Sequence, residues 1–150
     1  MSIVNPLDLR TVLLAKHAQH VVLVHFPIAL FITGVGLDLL SRGKRDTQLA
    51  SAAYLNLSIA AATVIPTALT GLIAWRFALD GMRIKGLLLF HIVAAWIAVV
   101  VVIASWWVHW RSRKSRPDTL PRVRIAFELF GVAVLGLTAH LGGFLSGVNS

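Results

Sequence analysis

Four histidines sit where histidine is least expected. His20 and His25 flank the apolar run HVVLVHFPIAL, His91 ends RIKGLLLFH, and His140 lies in AHLGGFLSG. An imidazole among Val, Leu and Ile is costly unless it is neutral and hydrogen-bonded, or ligates something. Three chemistries suit such a set. The first is a haem b held between two imidazoles inside a helical bundle. The second is a Zn, Cu or Fe ion held by His25, His91 and His140. The third is a hydrogen-bonded structural cluster or a proton path. The chain has no cysteine, which excludes thiolate metal sites, iron–sulfur ligation and covalent c-type haem.

These residues need elements to carry them, and composition says which. Of 150 residues, 57% are hydrophobic and 13% charged. That is too much apolar surface for a soluble domain of this size to hide, so lipid is the expected solvent. Four stretches are long and apolar enough to span a bilayer: about 20–40, 49–75, 84–108 and 123–148. SRGKRDTQ, RFALDGMR and HWRSRKSRPDTLPR separate them, the last with Pro117 and Pro121. Short connections favour an all-α, up-down-up-down four-helix bundle. Residues 1–19 mix charge with leucine and read as an amphipathic interfacial segment, with 20–150 as the transmembrane domain. No cleavable signal peptide and no internal repeat are apparent.

The net charge of +8 does not point to nucleic acid, because the cations sit at the ends of apolar segments. Nine of them (Arg42, Lys44, Arg45, Arg111, Arg113, Lys114, Arg116, Arg122 and Arg124) fall in or beside the first and third connections. Five (Arg10, Lys16, Arg76, Arg83 and Lys85) fall on the other side. The positive-inside rule puts the nine in the cytoplasm, with both termini outside a bacterial inner membrane. Trp106, Trp107 and Trp110 form an aromatic belt at the cytoplasmic interface.

With that orientation, His25, His91 and His140 lie at one depth, roughly 8–12 Å below the outer surface at 1.5 Å per residue. Each begins a helical stripe of mostly small residues: His25–Ala29–Ile32–Gly36, His91–Ala95–Ala98–Val102–Ser105, and His140–Gly136–Ala133. Small residues mark helix contacts in membranes, so all three are expected to face the bundle interior. The second span supplies Asn56, Ala60, Thr63, Thr67, Thr70 and Ala74. Gly71, Gly142 and Gly143 leave room in the same layer for a flat ligand. Spans one and three are diagonal in such a bundle, which favours His25 with His91 as the axial pair. His140 would then bond a propionate or a quinone, or replace one ligand. Arg83 and Lys85 at the outer mouth could pair with propionates or simply snorkel. His20, about 140° round the helix from His25, is a weaker candidate, and His17 and His109 read as interfacial. On the inner side Asp38 and Glu128 read as carboxylates facing Arg42 or Arg124, with a proton or quinone path as the sharper alternative.

HVVLVHFPIALFITGVGLDLL, TALTGLIAW, RIKGLLLFH and AHLGGFLSG together resemble the bacterial membrane family catalogued as domain of unknown function 2231. The resemblance runs over residues 20–147, and VHFPIAL and HLGG are its more specific elements. It implies four spans, and histidines at His20, His25, His91 and His140. Val21 stands where the family usually has proline. Some relatives are joined to periplasmic redox modules, which implies electron transfer on the outer side. The expectation is therefore an electron-transfer subunit, not an enzyme by itself. It would exchange electrons with a periplasmic redox protein, another membrane subunit or quinone. The alternatives are a structural or assembly subunit, and a metal or proton transporter.

Overall fold

The computed structural model describes residues 16–77, 79–114 and 121–146. They form four helices: α1 Lys16–Lys44, α2 Thr47–Phe77, α3 Leu87–Lys114 and α4 Pro121–Leu145. Each contains a stretch long and apolar enough to cross a membrane. The 29 residues of α1 are about 44 Å long at 1.5 Å per residue, more than the hydrocarbon core requires. The proposed interfacial segment falls largely outside the described residues.

Turn chemistry sets the helix boundaries. Arg45 takes a left-handed conformation (φ 54°), and the Asp46 carboxylate then accepts the amides of Gln48 and Leu49, capping α2. The second connection turns through Asp80 and Gly81, both at positive φ, and Trp75 Nε1 donates to the Met82 carbonyl. Gly86, at φ 58°, stands immediately before α3, so that helix begins three residues later than the apolar pattern at Ile84 suggests.

Each helix packs on its sequence neighbour, and α4 closes back on α1. The shared core is Phe31 and Val35 of α1, Leu57 and Val64 of α2, Val101 and Val102 of α3, and Val134 and Leu135 of α4. Glycines let the backbones approach. A Cβ on Gly34 would stand 2.9 Å from Leu57 Cγ, and one on Gly131 only 2.7 Å from Val101 Cγ1. The opposite faces carry exposed Phe26, Leu55, Leu69, Phe90, Trp96 and Phe130, a surface suited to lipid.

The bundle does contain a repeat. Leu87, the first residue of α3, lies 71 positions beyond Lys16, the first of α1. The same offset pairs His20 with His91, Phe31 with Val102, Asp38 with His109, Val64 with Leu135, Thr67 with Thr138, and Gly71 with Gly142. Members of each pair share a burial class. The order of the helices matches as well, so the 71-residue offset reads as a duplication of one helical hairpin. Few identities survive, chiefly the histidines, Ser41-Arg42 with Ser112-Arg113, and Thr67-Ala68 with Thr138-Ala139. That is why the sequence conceals it.

Candidate functional site

The two ends of the bundle hold different chemistry. At the end where α1 and α3 begin, His20 and His91 occupy equivalent seats. His20 Nδ1 lies 3.1 Å from the Thr67 carbonyl and 3.3 Å from Thr70 Oγ1, both on α2. His91 Nδ1 lies 3.1 Å from the Thr138 carbonyl on α4. A carbonyl only accepts, so in both rings Nδ1 carries the proton and donates it. The unprotonated nitrogen is then Nε2. Each ring also rests on a glycine: a Cβ on Gly71 would meet His20 Cε1 at 3.0 Å, and one on Gly142 would meet His91 Cε1 at 3.2 Å. A Cβ at either position would require the ring to give by a few tenths of an ångström. Gly143, next to Gly142, is half-buried.

His140 lies beside Gly142 in this layer, but His25 lies five residues further along α1 than His20, about 7.5 Å at 1.5 Å per residue. The single depth expected for His25, His91 and His140 therefore fails for His25, and neither His25 nor His140 shares the orientation of the seats. Both are exposed, on the faces of α1 and α4 that carry Val22, Phe26 and Leu137. His25 Nδ1 donates to Val21 O one turn back in its own helix, at 2.7 Å. The His140 ring meets Phe144 edge-on. The expectation that all three stripes point inward therefore holds for His91 and fails for His25 and His140. A stripe of Ala, Ile and Gly suits a lipid-facing surface as well as a helix contact, and depth fixes no rotation. Arg83 is exposed in the second connection.

At the other end lies a buried ionic network that the sequence gives only in part. Asp38 (4% exposed), His109 (6%) and Glu128 (0%) come from α1, α3 and α4. Arg124 NH2 sits 3.0 and 3.1 Å from the two Asp38 oxygens, and Arg42 Nε is 2.7 Å from Asp38 Oδ2. Arg124 Nε is 3.5 Å from Glu128 Oε1, which is 2.6 Å from His109 Nε2. Glu128 Oε2 and Ser105 Oγ are buried without a hydrogen-bond partner among the described residues. Beside the network opens a cavity of about 420 Å³, lined by Tyr54, His109, Arg113 and Arg124 among others. Arg113 lies over the Tyr54 ring at 4.5 Å.

The pairing of Asp38 with Arg42 and Arg124 follows the sequence expectation; the burial of His109 does not. Its signal was the His91 stripe itself, which continues one turn past Ser105 to His109. Among the described residues, Asp38, His109 and Glu128 are the one group of three whose ligand atoms lie within 4.8 Å of one another. The histidines of the opposite end form no such triad.

A family model described as a predicted membrane protein, DUF2231, matches residues 16–148. The chain belongs to that family. The match takes in all four helices of this DUF2231 protein, both histidine seats and the whole ionic network. No curated protein and no solved structure matches the chain.

Proposed function

We propose that this DUF2231 protein is a membrane electron-transfer protein whose histidine end would hold one haem b through His20 and His91. The observation that carries this is the equivalence of the two seats. Two half-buried imidazoles on diagonal helices each donate Nδ1–H to a neighbouring backbone carbonyl, and each rests on a glycine. A backbone carbonyl on the far nitrogen is the usual partner of a metal-ligating histidine, because it fixes the ring and raises the basicity of Nε2. Bound there, haem would supply one-electron chemistry. The chain's own part is to orient the two rings and to close the middle of the bundle with Phe31, Val102 and Leu135.

The cation distribution supports a bacterial inner-membrane orientation with the histidine end outward. Electrons would then pass to or from a periplasmic redox protein or the quinone pool. Exposed His25, His140 and Arg83 lie at this end, where such a partner or a propionate would meet them.

The test is the visible spectrum of protein expressed with ample haem, oxidised and then reduced with dithionite. The expected result is a Soret band that shifts on reduction, with resolved alpha and beta bands. It should be lost in His20→Ala and His91→Ala and kept in His25→Ala and His140→Ala. A colourless protein overturns the haem reading; bound Zn, Cu or Fe in elemental analysis would then favour an ion in its place.

A further inference from the structure

We infer that the His109–Glu128 couple is a proton-binding site, fed through the cavity at the basic end of the bundle. It stands apart from the histidine seats and holds whether or not they carry haem.

Charge balance identifies the ligand. The groups facing the couple are Asp38 and Arg42 from α1, Tyr54 from α2, Arg113 from α3 and Arg124 from α4. Inside the network, the carboxylates of Asp38 and Glu128 are matched by the guanidinium groups of Arg42 and Arg124. Arg113 on the cavity wall adds a further positive charge, so with His109 neutral the described groups leave no negative charge over for a metal cation. A divalent ion would add two uncompensated charges and would have to displace Arg124 from both Asp38 oxygens. A single proton adds one charge and displaces nothing.

Geometry supplies the route. Glu128 Oε1 accepts from His109 Nε2 at 2.6 Å, so Nδ1 is the unprotonated nitrogen of a neutral ring that lines the cavity. A hydronium ion there can protonate Nδ1. The Nε2 proton then passes to Glu128 Oε1, leaving a neutral carboxylic acid and a neutral imidazole protonated at Nδ1. The net change is one proton bound and one water released to the cavity. Glu128 Oε2 and, one turn deeper on α3, Ser105 Oγ are both buried without a hydrogen-bond partner among the described residues. Asp38 is already bonded by two guanidinium groups. Beyond Ser105 the interior is apolar, with Val102, Val101 and Phe31. The site therefore loads from the basic end and does not open to the other.

The chain has a single glutamate, so carboxyl-¹³C glutamate labels Glu128 alone, with no substitution needed. The full-length protein in nanodiscs, titrated from about pH 9 to about pH 4, should show the label passing from carboxylate to carboxylic acid, by NMR shift and by infrared band. His109→Asn should displace the midpoint by about one pH unit, a tenfold change in proton affinity. A glutamate that stays ionised throughout the range in which the wild-type protein remains folded overturns the proposal. So does a midpoint that His109→Asn leaves in place. Stoichiometric Zn²⁺ or Mn²⁺ binding that shifts the same label at constant pH overturns it in favour of a metal site.

Discussion

Gly71 and Gly142 show how single residues set the histidine end. Each faces an imidazole so closely that an added methyl group would force the ring to give by a few tenths of an ångström, and each ring is tied to a carbonyl on the neighbouring helix. Gly71→Ala should push His20 off Thr67 and cost about 1 kcal/mol through the lost hydrogen bond. Gly36→Ala meets nothing within 4 Å and should stabilise by about 0.5–1 kcal/mol through helix propensity. Thermal unfolding in mild detergent, followed by circular dichroism, separates the two; equal melting temperatures would show that the seat is not tight. These glycines were visible in the sequence as free volume in the histidine layer. Their partners were not, because a His–carbonyl bond between helices leaves no local pattern.

Packing between elements explains what a helix-by-helix reading can and cannot recover. Spans 20–40, 49–75, 84–108 and 123–148 fall within a few residues of α1 to α4, because apolar length and turn chemistry are local properties. Rotation about each helix axis is not local, which is why His25 and His140 appear to face inward until α1 and α4 are packed. The same limit hid the ionic network, whose members Asp38, His109 and Glu128 lie on three helices. That network ties α1, α3 and α4 together, and breaking it should reveal coupling. Arg124→Met leaves Asp38 and Glu128 short of positive charge in a buried site and should cost about 3–5 kcal/mol. Adding Asp38→Asn removes one of the two carboxylates that Arg124 contacted and should recover part of that loss. Unfolding of the two single variants and the double variant would measure the interaction, and strict additivity would mean the two groups do not share a network.

For the whole molecule, the question is which side of the membrane each end meets. The duplication makes the two hairpins run in the same direction, so the histidines of both copies share one end and Asp38 and His109 share the other. Charge distinguishes the ends: the first and third connections together carry nine Arg and Lys, against three (Arg76, Arg83 and Lys85) in and beside the second. The positive-inside rule predicts that the network's cavity opens to the cytoplasm and that the histidine seats lie near the outer face, an orientation to be tested. A chain without cysteine permits a direct test. Gln48→Cys lies just after the first connection and Arg83→Cys in the second, both at exposed positions. In intact spheroplasts a membrane-impermeant maleimide should label Arg83→Cys and spare Gln48→Cys, which should react only after lysis. The reverse pattern would place the histidine end in the cytoplasm. A periplasmic redox partner would then be out of reach, and the proton site would draw on the outer medium.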